Sequence, residues 1–106
     1  MPKYMVQASY TPAGVKGVMK EGGTARRAQL NQMLEKAGGR TEAFYYTFGE
    51  WDVVSIVDLP DAATMLALSM AINSSGAVNL RTTPLIMPDE IDQAAKKSIP
   101  YRAPGA

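Results

Sequence analysis

At 106 residues and 11.4 kDa, with 46% hydrophobic and 20% charged residues, the chain has the size and apolar content of one domain with a packed core. Eleven lysines and arginines against ten acids leave a net charge of +1, so no basic field exists to drive nonspecific nucleic-acid or membrane-surface binding. Cysteine and histidine are both absent, which excludes disulfides, thiolate nucleophiles, Cys/His zinc sites, haem with a histidine axial ligand and Ser-His-Asp hydrolysis.

The first residues, Met1-Pro2-Lys3-Tyr4, lead straight into a strand pattern rather than a long apolar run with a cleavage site, which points to a cytoplasmic protein. From 4 to 10 the residues alternate, with Tyr4, Val6, Ala8 and Tyr10 on one side and Met5, Gln7 and Ser9 on the other. That period of two predicts a half-buried strand. Thr11-Pro12-Ala13-Gly14 ends it, and Pro12 suits the first turn of a helix, where its missing N–H costs nothing. Val15, Val18 and Met19 have helical spacing, but Gly17, Gly22 and Gly23 interrupt it, so a short turn of helix and a glycine hinge are expected. The main helix follows at about 24–37, where Leu30, Met33, Leu34 and Ala37 form one apolar stripe and Gly38-Gly39 supplies the stop.

Two strand-like runs, 41–48 and 53–57, flank Gly49-Glu50-Trp51-Asp52 and read as a hairpin. Leu59-Pro60-Asp61 then opens a helix of about 61–73 in which Ala62, Met65, Leu66, Leu68, Met70 and Ile72 leave almost no polar face. A helix apolar all round needs cover on a second side, from a partner subunit or from the C-terminal segment. Residues 77–87 form the fourth strand, and Pro84, which cannot donate to a ladder, belongs at its edge or in a bulge. Pro88-Asp89-Glu90 begins a last helix to about Lys97, and 98–106 are a tail. Residues 1–97 are thus read as one domain.

Strand, helix, strand, strand, helix, strand is the α+β, ferredoxin-like split βαβ order: a four-stranded antiparallel sheet with its two main helices on one face, plus here a C-terminal helix. The other face keeps aromatic and β-branched residues. Left open it would be a large apolar patch, so a homodimer, or a higher homo-oligomer, is expected.

Gly49-Glu50-Trp51-Asp52 before Val53-Val54, the run from Val15 to Gly23, Arg26-Arg27 and Leu59-Pro60-Asp61 together resemble the GYD-domain family, over roughly residues 3–90. The resemblance implies a dimeric α/β-barrel protein, bacterial, associating through its sheet with a small-molecule cavity beside it. Trp51 stands where the family name has tyrosine. An indole has no accessible acid–base pKa, so a phenol's chemistry is lost there while an aromatic wall survives.

Six residues are candidate ligand contacts. Trp51 could wall a pocket, with Asp52 orienting a ligand or acting as a base; the plain alternative is a packed hairpin residue and a turn carboxylate bonding backbone N–H groups. Lys16 and Arg26 stand with Lys20 and Arg27 around Gly22-Gly23, where basic residues in a first helical turn oppose the helix dipole and invite an anion, or an acid such as Glu21, Glu50 or one of a second subunit. Tyr46, with Tyr10, Tyr45 and Phe48, could line an aromatic cavity or fill strand positions. Arg81 is a charge in an apolar strand, at an edge or aimed at a carboxylate such as Asp52. Asp89, Glu90 and Asp92 are helix-start acids, and no metal site or cofactor is assigned. Two functions follow: a small anionic or aromatic metabolite held between sheet and helices, extending by analogy to a cofactor-free oxygenase or isomerase; or an assembly protein whose apolar helix and sheet face make its contacts.

Overall fold

Strand β1 (Lys3–Tyr10) is paired on both sides, and everything else is arranged about it. The computed structural model describes residues 1–106. Tyr4, Val6 and Ala8 are buried while the residues between them are half-exposed, as their alternation requires. β2 (Arg40–Tyr46), β3 (Val53–Asp58) and β4 (Val78–Leu85) complete an antiparallel sheet of order β2-β3-β1-β4. Together with the intervening helices this is the ferredoxin-like α+β fold.

The register puts Tyr46, Val53, Ala8 and Leu80 in one row across the sheet, and Phe44, Ser55, Val6 and Thr82 in the next. Both rows face the helices. Helix α2 (Gly23–Lys36) lies on β2 and α3 (Ala62–Ser74) on β4. Leu34 from α2 and Met65 from α3 meet Tyr4, Val6, Val57 and the fully buried Leu59 in the main core. Hydrophobic burial of this kind contributes about 1.5–3 kcal/mol per large side chain. Polar contacts seat α3 further: the hydroxyls of Ser69 and Thr82 are 3.2 Å apart, and Asn73 Oδ1 accepts the Leu80 N–H of edge strand β4 at 2.8 Å.

Helix α1 (Pro12–Glu21) is ten residues long, where a short turn was expected. Local chemistry outweighs its glycines. Thr11 Oγ1 accepts the Gly14 N–H at 3.3 Å, Pro12 occupies the first turn, and Gly14 lies so close to Ala77 that a Cβ would come within 2.1 Å of its carbonyl oxygen. Gly22, at φ 87°, provides the expected hinge into α2.

On the other face stand Tyr45, Val54, Gln7 and Arg81 in one row, and Ala43, Ile56, Met5 and Thr83 in the next. No element of the protomer covers this face. At its end, Lys3 Nζ donates to Asp58 Oδ1 at 2.9 Å and to Glu42, and Arg40 Nε donates to Asp58 Oδ2 at 3.0 Å. The Lys3 hydrogen bond, helped by Arg40, holds the Asp58 carboxyl below its usual range against the opposing effect of burial. Glu42 takes part because a bulge between Thr41 and Ala43 displaces it from the regular pairing. Pro84 sits on β4, an edge strand, as its missing N–H requires.

Helix α4 (Pro88–Ala95) and residues 96–106 form an arm that is exposed throughout. The radius of gyration is 17.2 Å, against about 13 Å for a compact domain of this length. Accessible surface is 7523 Å², against roughly 5,800 Å² for a compact monomer of this mass.

Candidate functional site

Where β1 and β2 end and β3 and β4 begin, the buried strand residues are small, Ala8, Val53 and Val78, with the larger Tyr10, Phe44 and Leu80 only partly buried around them. The small residues cannot fill the space between α2 and α3. The result is an apolar cavity of about 60 Å³, closed on the helix side by Leu30, Met33 and Leu34 of α2 and by Leu68 and Ile72 of α3. Next to it a groove of about 350 Å³ runs between α1 and α3, floored by Ala13, Gly14 and Gly17 and walled by Ala71, Ile72 and Ser75. Tyr10 and Arg26 line both. The cavity and groove are thus one cleft with a phenol and a guanidinium at the junction.

Tyr10 gathers several of the candidate residues. Its phenol pKa is pushed up to about 12, first by burial and then by the neighbouring Tyr46 phenol, while Arg26 pulls it down and Asp52 raises it slightly. Tyr10 is therefore a neutral hydrogen-bonding group at any ordinary pH. Tyr46 donates from its hydroxyl to the Gly23 carbonyl at 3.0 Å and packs edge-on against Phe44, with ring centroids 5.4 Å apart. Arg26 donates to Gln29 Oε1 at 3.2 Å and has no carboxylate partner in the protomer. Deeper in the wall, Thr41 Oγ1 is buried without a hydrogen-bond partner. A guanidinium at the mouth and an unsatisfied hydroxyl inside suit a ligand with an apolar body and a polar or anionic head.

Asp52 has a different task. Its N–H donates to the Ala8 carbonyl at 2.8 Å, and its Oδ2 accepts the Tyr10 N–H at 2.8 Å. The carboxylate extends the β1–β3 ladder by one bond and fixes Tyr10 at the cleft. Trp51 is half-exposed in the hairpin loop, where its carbonyl accepts the Thr47 hydroxyl, and it lines neither cavity nor groove. Lys16 is exposed on α1. Arg81 projects on the opposite sheet face, beside Gln7, and forms no ion pair with Asp52. The fold therefore brings Arg26, Tyr46 and Asp52 together around Tyr10 and leaves Lys16, Trp51 and Arg81 apart. The cavity's aliphatic lining from α3 and β4 carries no chemical signal in the sequence; its trace is the run of small residues at matching strand ends.

The model of the GYD domain matches residues 4–95. The chain belongs to the GYD-domain family. One relative, from Thermus thermophilus, is named glutamine synthetase and cystathionine beta-lyase binding protein; it is 32% identical over 83 residues, which span 77% of this chain and 85% of that protein. No solved structure matches. In this GYD domain no helix is long and apolar enough to cross a membrane.

Proposed function

We propose that this GYD domain acts by docking onto other proteins, metabolic enzymes in particular, through the outer face of α3. The observation that carries the reading is that α3 has no charged residue from Ala62 to Ser74, while Leu66 and Met70 on its outer side are 62% and 70% exposed. Nothing in the protomer covers them, and an uncharged apolar helix face of this kind marks a protein contact. Methionine adapts to differing surfaces. The name of the Thermus thermophilus relative supports enzymes as the partner class. The open sheet face, with Val54, Ile56, Met5 and the exposed Tyr45, is suited to a second copy, so the working unit is a homodimer presenting two such helices.

The test is titration of the purified protein with glutamine synthetase and cystathionine β-lyase of its own host, followed by sedimentation. Wild type should co-sediment with at least one of them. Leu66→Asp with Met70→Asp should abolish this while leaving circular dichroism unchanged; co-sedimentation that survives both changes removes α3 from the contact.

A second reading rests on Tyr10, Arg26 and the unsatisfied Thr41 hydroxyl. The inner cavity, at about 60 Å³, falls short of the roughly 300 Å³ of a typical ligand pocket. A small carboxylic acid with its chain inside and its charge on Arg26 fits that space. Arg26→Gln should weaken such binding in calorimetry, and equal affinity in the variant rejects it.

A further inference from the structure

The C-terminal arm projects from the end of β4 and takes no part in the α3 face assigned to enzyme docking. An eight-residue helix such as α4 is unstable by itself in water, where isolated helices below about 12–15 residues are marginal. Packing must support it, yet all its residues are exposed, and only its start, at Met87 and Glu90, borders other parts of the protomer, across an open space of about 480 Å³ shared with Met1, Pro2, Lys3 and Leu85. Its pattern is that of a helix made to lie in a groove: Met87, Ile91 and Ala94 follow one another at i, i+4 and i+7, with Glu90 at the border of that stripe and Asp89 and Asp92 away from it.

The α1–α3 groove has the matching features. Its floor is made of small residues, and at Gly17 a side chain would meet nothing within 4 Å. Lys16 and Lys20 stand one helical turn apart on the margin of α1 next to Ala13 and Gly17, both exposed and neither in an ion pair. Arg26, also without a carboxylate, lies at the inner end. The opposite wall, α3, is uncharged. The groove lining itself carries one acid, Glu21, beside Arg26, so its excess of positive charge lies at the margin, in Lys16 and Lys20, and the acids of α4, in no ion pair of the protomer, complement that margin.

The arm cannot serve its own groove. β4 ends with Leu85 opposite Lys3, whereas the groove begins at Tyr10, seven strand residues away, or about 23 Å. Ile86 and Met87 alone join β4 to α4 and reach about 7 Å. We propose that α4 of one copy docks in the α1–α3 groove of a second copy, with Met87 and Ile91 on the small-residue floor and the acids of α4 against Lys16 and Lys20. The arm then closes the mouth of the cleft over Tyr10 and Arg26, so the cleft is complete only in the oligomer.

An equal mixture of unlabelled and heavy-nitrogen full-length protein, treated with a zero-length carbodiimide cross-linker and read by mass spectrometry, tests this. Cross-links from Asp89, Glu90 or Asp92 to Lys16 or Lys20 should appear in mixed-isotope form. Lys16→Glu with Lys20→Glu should weaken self-association about tenfold or more in sedimentation equilibrium, and adding Asp89→Lys with Asp92→Lys should restore it. Arm cross-links of one isotope alone, arm cross-links to other lysines, or no arm cross-links would each overturn the proposal, as would charge reversals without effect on association. Loss of enzyme co-sedimentation with these cross-links intact would reject the docking reading and leave the arm in place.

Discussion

The two ends of the helix-facing sheet surface are built on different terms. At the end near Lys3, large side chains from both helices pack with Leu59, which is fully buried and lines no cavity. At the end near Tyr10, the strands offer Ala8, Val53 and Val78, and a cavity stays open beside a phenol and a guanidinium. One end is filled with large side chains and the other keeps open space. The same sheet can do both because its register fixes which residues share a row, and the size of those residues then decides whether a row is filled.

Mutation at each end should separate these roles. Leu59→Ala should cost about 3 kcal/mol in urea denaturation, because it removes a fully enclosed side chain and leaves a new cavity in the core. Val78→Ala, which enlarges a cavity already present, should cost less than half as much; equal losses would mean that the two ends are packed alike. Asp52→Ala should cost about 1–2 kcal/mol by leaving the Tyr10 N–H without its acceptor, and Asp52→Asn, which keeps an oxygen, should cost less.

The pH dependences are of opposite sign. The Asp58 carboxyl is held low by Lys3 and Arg40, so its contribution is full above the unfolded value near 4 and is lost as pH falls through the lower folded value. Asp58→Asn should be less stable at neutral pH and should approach wild type in acid. Tyr10 is raised to about 12, so its contribution is full below the unfolded value near 10 and is lost as pH rises towards 12. Tyr10→Phe should remove one late-ionising phenol from the alkaline ultraviolet titration. It should change neutral-pH stability the least of this set, since a neutral phenol and a phenyl ring fill nearly the same volume.

What the sequence revealed was whatever depends on local period. The alternation of Tyr4, Val6 and Ala8 and the stripe of Leu30, Met33 and Leu34 place their side chains on the helix–sheet boundary without further information. The all-apolar character of α3 announces an uncovered face. What it concealed depends on register between strands distant in the chain. Asp52 reads as a turn carboxylate, and nothing in its neighbours reveals that its partner is the Tyr10 N–H, 42 positions earlier. The meeting of Lys3 with Asp58 is hidden for the same reason, across 55 positions. Arg81, on parity alone, could face either side; pairing with Gln7 sends it away from Asp52.

Both borders of the sheet are interrupted, β2 by the displaced Glu42 and β4 by Pro84 and the Asn73 side chain that occupies the Leu80 N–H. A further strand finds no continuous row of free donors and acceptors at either border, so growth by strand addition into a fibril is blocked. In the pairing proposed here, through the sheet face and the arm, contacts related by a two-fold axis would saturate at a fixed number of copies rather than extend without limit.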